Sequence, residues 1–342
     1  MNAIVTAIQP THNGAPQLGN LLGALLPLKR LAESDTHANT PIFTAVASLH
    51  ATTVPGFAPK NLHDARAQCF AALLALDIQR PHNDAGTAPL YLFDQANIPS
   101  IPRMATLLQH IASLGQLELM TQFKDKGRGS ERGEVGFGLL SYPVLMAADI
   151  LSVGGTIVPV GEDQLQHLQL ARELAQRANK RFGTRMRPPT PSITDAPRIM
   201  DLRVPTQKMS KSHPEGAVFL DQSMDQVHKA FRRATSDSDR LPSEYAGLVD
   251  RPAARNLIHI YAAMRHIDVD TACAQFAGQG FAPLKQALSD AYAEHIAPIG
   301  QRMHAILSNP FYLDHQRQIH AATVESIAAS NTHTLAIGMG LA

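Results

Sequence analysis

Three features of this chain predict an α/β fold, a doubly wound parallel sheet followed by a mostly helical C-terminal part. Short apolar, β-branched runs alternate with helical periodicities through the first two thirds of the sequence. The first run leads through a Pro- and Gly-containing loop into a helix. After Ser212 the strand signals fade and helical stripes take over. Strand–helix alternation lays successive strands parallel and puts helices on both faces.

Ala3-Ile4-Val5-Thr6-Ala7-Ile8 reads as a buried first strand. Gln9 to Pro16 reads as a loop from its Pro, Gly and Asn content. Gln17-Leu18-Gly19-Asn20 then opens a helical apolar run through Leu21, Leu22, Leu25 and Leu28. Strands are expected at Ile42–Ala47, Leu90–Phe93 and Thr156–Val160, with helices at Leu62–Leu76 and Met104–Leu114 between them. Leu165, Leu168 and Leu174 mark one face of a helix reaching Lys180. Arg185 to Pro197 holds four prolines and is expected to be loop. Beyond it, Val227, Phe231 and Ala234 share helical spacing. So do Leu257, Ile258, Tyr261 and Met264, and then Leu284, Leu288 and Ala291; these stripes read as core. Ligands of such a sheet bind at the carboxyl ends of its strands, where Gln9, His50 and Gly161 emerge.

With 342 residues the chain is long enough for two domains and a large core. A formal net charge of +1 gives no global basic field, so a nucleic-acid partner would have to be held by local patches. The two cysteines, Cys69 and Cys273, form no CxxC pair. They argue for a reducing compartment and against a disulfide scaffold or a four-cysteine metal site. The start lacks a basic segment before an apolar stretch, and no uncharged run approaches membrane-spanning length. The expectation is a soluble cytoplasmic protein without a membrane partner.

The rarest word in the chain is Lys208-Met209-Ser210-Lys211-Ser212. It follows apolar Ile199-Met200 in a Pro-containing segment unsuited to continuous helix. Two ammonium groups on such a loop can close on a polyphosphate while Ser hydroxyls and backbone N–H groups meet the remaining oxygens. A solvated basic loop is the plain alternative. The earlier strand–Gly–helix unit supplies a counterpart: Gly19 has no Cβ, and a helix start favours phosphate. Alone, that unit is ordinary α/β scaffold.

Together the two resemble the "HIGH" and KMSKS signatures of class I aminoacyl-tRNA synthetases. Longer words lie around them. Gly115-Gln116-Leu117-Glu118-Leu119-Met120-Thr121-Gln122-Phe123-Lys124, Ser141-Tyr142-Pro143-Val144-Leu145-Met146-Ala147-Ala148-Asp149-Ile150-Leu151, Val158-Pro159-Val160-Gly161-Glu162-Asp163-Gln164 and Ala234-Thr235-Ser236-Asp237-Ser238 are similar to the bacterial tryptophanyl-tRNA synthetases. The resemblance runs from Ile4 to near Ile299. It implies a Rossmann-like catalytic domain over 1–213 and a helical, anticodon-contacting domain over 214–342. It also implies a homodimer acting on L-tryptophan, ATP with Mg2+, and tRNA(Trp). The reaction expected is formation of tryptophanyl-adenylate, then transfer to the tRNA 3′ end.

That chemistry is positioning and electrostatics more than covalent catalysis. Lys208 and Lys211, with Ser210, suit stabilisation of charge on the leaving phosphates, and Gln17 and Asn20 occupy the first and last "HIGH" positions. The resemblance puts Gln9, Pro10, Thr11, Gly19, Asn20, Ile199 and the loop from Lys208 through Met209 to Ser212 at ATP. Gly161, Glu162, Asp163 and Gln164 would meet its ribose; a plain helix N-cap is the competing reading of Asp163. Met146 and Asp149, three apart, share a helix face. A carboxylate in an apolar pocket needs a donor, and an indole N–H can only donate. Met146, Val158 and Val160 would wall the ring, with Val5, Ala7, Tyr142 and Ile150 nearby. Tyrosine-specific relatives are expected to carry Gln where Met146 stands. An Asp149 that caps or salt-bridges within its own helix is the alternative. His50 and Gln122 match positions near the amino-acid ammonium or carboxylate. No protein metal ligands are expected. Lys229, Arg232 and Arg233 could touch tRNA phosphates, although their spacing also suits an ordinary solvated helix face.

The sequence departs from the family pattern at several points. The loop Thr11 to Gln17 is longer than the usual turn and carries His12 and Asn13; Gln17 replaces the usual His or Thr. Val5 stands where an aromatic is common, and His213 where Asp is. These substitutions point to a divergent or second-copy enzyme. The rivals are a tyrosine-specific ligase, an adenylyltransferase acting on a small cofactor, and a tryptophan-activating or tryptophan-sensing paralogue that does not charge tRNA.

Overall fold

The computed structural model describes residues 2–342 except 11–14, 54–57, 81–86, 122, 124–135, 194–196 and 212, with the side chains of Glu162 and Ile193 also outside the description. Five strands, β1 (Ile4–Ile8), β2 (Ile42–Val46), β3 (Leu90–Asp94), β4 (Ile157–Val160) and β5 (Thr190–Ile193), form one sheet in the order β3-β2-β1-β4-β5. Every pairing is parallel. On β1, Ile4 enters the core that holds Leu22 and Phe70, and Val5 enters the core that holds Phe43 and Val144. A period of two thus feeds two apolar faces, which is why both are covered by helices.

The turn Leu18–Asn20 runs through π-helical Leu21–Leu25 into α1 (Leu26–Glu33). Pro27 has no N–H, and its ring would crowd the carbonyl of Gly23 in a regular α-helix; the wider π turn accommodates it. Among the described residues the other long helices of the sheet half are α2 (Pro59–Ala75), α3 (Ser100–Gln109), α4 (Phe137–Ser152) and α5 (Leu165–Phe182), with short helical turns at Ser48–Thr52 and Leu114–Glu118. Gly183, with φ of 67°, ends α5 in the left-handed region that favours glycine.

Arg185 to Pro197 is not all loop: it contains β5. Proline is tolerated there because β5 is an edge strand, paired with β4 alone.

The remaining helices are α6 (Met224–Arg233), α7 (Pro252–Arg265), α8 (Val269–Phe276), α9 (Phe281–His295), α10 (Ala297–Leu307), α11 (Pro310–Ile319) and α12 (Ala321–Gly338). The expected stripes are their buried faces, as Val227, Leu257, Ile258, Leu284 and Leu288 show. Packing does not divide at residue 213. Helix α10 lies on α2, and α12 lies on α3 and α4. Arg302 Nε donates to the carbonyl of Ala75 at 2.8 Å. Asn331 Nδ2 donates to that of Ser152 at 2.7 Å, and Glu325 accepts the Ser100 N–H at 3.1 Å. Each bond satisfies a terminus of a sheet-side helix. Position 213 therefore marks a change of element type, and the last helices return to cover the sheet.

Candidate active site

Beside β1 the strand order reverses: β2 leads away on one side and β4 on the other. β1 and β4 pair at their amino ends through Ile4 and Ile157. Towards their carboxyl ends a cavity of about 340 Å³ opens, lined by Val5, Ala7, Val158 and Val160. This is the crevice where an open parallel sheet takes its ligand. Ala7 is exposed in mid-strand because it faces that space.

Helix α4 supplies the opposite wall, with Tyr142, Met146, Asp149 and Ile150 all on the cavity. Spacings of three and four residues put them on one helix face. Asp149 is buried, at 7 % exposure. Its Oδ2 lies 2.8 Å from His50 Nε2, and its Oδ1 accepts from Gln95 Nε2 at 2.6 Å. The partners come from beyond β2 and β3, so Asp149 neither caps nor salt-bridges within α4. A carboxylate has about four lone-pair sites, so two remain for a donor in the cavity. Each charge-assisted bond contributes about 1.5–3 kcal/mol, which offsets the cost of burial.

Gln95 escaped sequence reasoning. It is fully buried, and its Oε1 also accepts from Leu49 N–H at 2.9 Å. Its place directly after β3, at the ligand end of the sheet, was the available signal. Neighbouring Asp94 holds Arg66 Nε at 2.8 Å and the Ser48 hydroxyl, which fixes the turn carrying His50. Gly155 was also missed. A Cβ there would stand 2.4 Å from Val5 Cγ2 and 3.0 Å from the carbonyl of Ile150, so α4 reaches β1 only without a side chain.

At the cavity mouth stand Gln9, Gly161 and Gln164. Gln9 Nε2 donates to the carbonyl of His50 at 3.0 Å. Asp163 is exposed and is not the cap of α5: the cap residue is Gln164, which makes no side-chain cap bond. The Asp163 carboxylate instead accepts from Gln164 Nε2 at 2.8 Å. Tyr142 Oη lies 2.8 Å from His167 Nε2, and burial, then the nearby Asp163 charge, push its phenol up to about 12.

The "HIGH" residues sit elsewhere. Gln17 is buried, accepts the N–H of Gly19, and donates to the carbonyl of Met209 at 3.1 Å. Asn20 Oδ1 accepts the Gln17 N–H at 3.3 Å, completing a capping box. Gln17 and Asn20 thus order the helix start and tie it to the lysine loop, and neither lines the cavity.

The lysine loop hangs from a small hairpin. Met200 bridges Lys208, and Met209 N–H donates to the carbonyl of Ile199 at 3.1 Å. Asp201 Oδ1 accepts the N–H groups of Arg203 and Val204 at 2.7 and 2.9 Å. Ile199 and Met209 are core; Lys208 is exposed. Lys211 is half-buried, and burial holds its ammonium below the usual lysine range despite Cys69 and Asp221 nearby. Burial also pushes the Cys69 thiol up to about 11, against the effect of Lys211. Lys208, Ser210 and Lys211 are not among the cavity-lining residues. Pro10 is buried, and Gly19 is partly exposed. Thr11, His12, Asn13, Gln122, Ser212 and the side chain of Glu162 lie outside the described residues.

The sequence profile of the family described as tRNA synthetases class I (W and Y) matches residues 1–296. The chain is 38% identical over 318 residues to the tryptophan–tRNA ligase of Caulobacter vibrioides, covering 91% of this chain and 87% of that protein. It is 34% identical over 347 residues to that of Halalkalibacterium halodurans, covering 99% and 97%. The solved tryptophanyl-tRNA synthetase of Mycoplasma pneumoniae superposes with a TM-score of 0.82 at 32% identity, covering 100% of this chain and 98% of that one.

Proposed function

This chain belongs to the class I tRNA synthetases of the tryptophan and tyrosine group, and we propose the following division of labour within it. The reaction is that of a tryptophan–tRNA ligase: ATP-dependent activation of L-tryptophan to tryptophanyl-adenylate, then transfer to the 3′ end of tRNA(Trp). The observation that carries the amino-acid assignment is Asp149, a buried carboxylate held from behind by His50 and Gln95 and facing a cavity beside Met146. It accepts the indole N–H, while Met146, Val158 and Val160 wall the ring. A phenol would need a donor to its oxygen as well, and Met146 has none to offer.

ATP enters at the mouth, with Gln9, Gly161, Asp163 and Gln164 on its ribose and α-phosphate side. In-line attack by the tryptophan carboxylate forms the acyl–phosphate bond as the bond to pyrophosphate breaks. Lys208 and Lys211 neutralise the leaving pyrophosphate once the hairpin tip closes over the mouth. Half-burial of Lys211 away from the cavity supports a closing step, because the open arrangement keeps the charge clamp off the amino-acid pocket. Among the described residues no group of three or more His, Cys, Asp or Glu could hold a metal. Mg2+ would arrive with the ATP phosphates, and no protein ligand is assigned to it. The second substrate is tRNA(Trp), contacted by the helical part; the active unit is a homodimer. Among the described residues no helix is long and apolar enough to cross a membrane; we place the protein in the cytoplasm.

The test is amino-acid-dependent exchange of pyrophosphate into ATP with all twenty amino acids, followed by charging of cognate tRNA. Exchange with tryptophan plus charging is expected. Exchange with tyrosine alone overturns the specificity, and exchange without charging favours the paralogue with another acceptor.

A further inference from the structure

Gln17 stands at the first "HIGH" position, yet it does not line the cavity. It is buried at 3 % exposure, and both ends of its amide are engaged. Oε1 accepts the N–H of Gly19, and Nε2 donates to the carbonyl of Met209 at 3.1 Å. The first bond is local and caps the helix start. The second joins residues 192 positions apart, and capping does not call for it.

Met209 is held from three directions. Its side chain lies in the core at 2 % exposure. Its N–H donates to the carbonyl of Ile199 at 3.1 Å, and its carbonyl accepts from Gln17. A residue with its side chain packed and both backbone groups bonded has little conformational freedom left. Exposed Lys208 precedes it, and half-buried Lys211 follows two positions later. The two cations of the loop therefore flank a fixed point. Gln17 is fixed in its turn. Its backbone bridges Phe219 antiparallel, with Leu18 N–H donating to the carbonyl of Val218 at 2.7 Å and Leu220 N–H to that of Pro16 at 3.1 Å.

We propose that Gln17 is a positioning residue that acts through Met209: it pins the backbone about which the lysine loop turns, so that Lys208 and Lys211 close on the leaving pyrophosphate in one geometry. Resting on the activation reaction proposed above, this gives the first "HIGH" position of the chain a role away from ATP. A charge clamp works by holding its cations where charge develops, and a hinge that drifts loses that placement. Loss of the pin should cost about tenfold in rate, the size of one buried hydrogen bond.

Gln17→Ser and Gln17→Met separate the two bonds. Serine still caps the helix start but is too short to reach Met209; methionine fills the volume and makes neither bond. Both variants should lower the maximal rate of tryptophan-dependent pyrophosphate exchange about tenfold, with tryptophan Kd changed less than about twofold. Cleavage of the ligand-free protein by a lysine-specific protease should become several-fold faster at Lys208 and Lys211 and stay unchanged at Lys229 on α6. In a Lys211→Ala background, Gln17→Ser should lower the exchange rate by less than about threefold further, because a group it positions is gone. A Gln17→Ser enzyme as fast as wild type beside an impaired Gln17→Met would reduce Gln17 to a helix cap and overturn the proposal. Loop cleavage at the wild-type rate, or full additivity with Lys211→Ala, would overturn it as well. A wild-type protein without tryptophan-dependent exchange would overturn the functional reading itself, and loop cleavage would then still decide whether Gln17 pins Met209.

Discussion

At the scale of the residue, the site is organised around Asp149. Its bonds to His50 and Gln95 hold the carboxylate in the cavity at two of its lone-pair positions. Asp149→Ala should raise the tryptophan Kd by about 10- to 100-fold, because it removes the acceptor and strands two buried donors. Fluorescence titration of the ligand measures it, and an unchanged Kd would remove Asp149 from the pocket. Lys211 is proposed to serve the other half of the reaction. Lys211→Ala should lower the rate of tryptophan-dependent pyrophosphate exchange by more than about 100-fold while tryptophan Kd changes less than about twofold. Of the residues at this centre, Met146 and Asp149 were legible from helical spacing. Gln95 and His167 were not, because a glutamine after a strand and a histidine on a helix show nothing until their partners are known.

At the scale of the element, two joints set the geometry. One is the contact of α4 with β1 across Gly155. Gly155→Ala overlaps Val5 and the carbonyl of Ile150 and should cost about 1–3 kcal/mol of stability. Val5→Ala in the same chain should recover part of that cost in denaturant unfolding, since Val5 Cγ2 is the nearest obstacle. The other joint is the stem of the lysine hairpin. Asn256, buried on α7, accepts from Met200 N–H and donates to Met200 O, both at 2.9 Å. Thr235 N–H donates to the carbonyl of Leu202 at 2.8 Å, and its hydroxyl donates to that of Arg203 at 2.7 Å. The helical part thus grips the hairpin at two points. Asn256→Ala should raise the KM for ATP and lower the exchange rate with little change in tryptophan Kd, as a loosened loop requires; an equal effect on tryptophan binding would contradict this.

At the scale of the whole molecule, the last helices hold the sheet half from outside. His320, just before α12, accepts the Leu92 N–H at Nδ1, 3.0 Å away, and stands edge-on to Tyr91. Burial holds this imidazole below the usual histidine range, and an acceptor nitrogen must be unprotonated. Because its pKa is lowered in the fold, its stabilising contribution is complete above the unfolded value and is lost as pH falls through the folded one. His259 and His266 are lowered in the same direction, also by burial first. Thermal stability should therefore fall between pH 7.5 and 5, and His320→Gln, which keeps an acceptor without titrating, should show a smaller fall. An identical pH slope in the variant would exclude His320 as a contributor.

Sequence patterns were enough for the α/β class, four of the five strands, the helical stripes and the words by which the chain resembles its family. These rest on local periodicity and on residue types that report their own environment. The sequence misread β5, since four prolines outweighed an edge position that only the assembled sheet defines. It left the return of α10 and α12 unseen, because which apolar stripe meets which is a long-range choice. Only the folded arrangement reveals that Gln17 caps a helix and holds Met209, that Asp149 is held from the segments that follow β2 and β3, and that Asp163, Gln164, His167 and Tyr142 form one chain of hydrogen bonds. The physical reason is common to all three: a hydrogen bond is a relation between two groups, and spacing along a chain names one partner at a time.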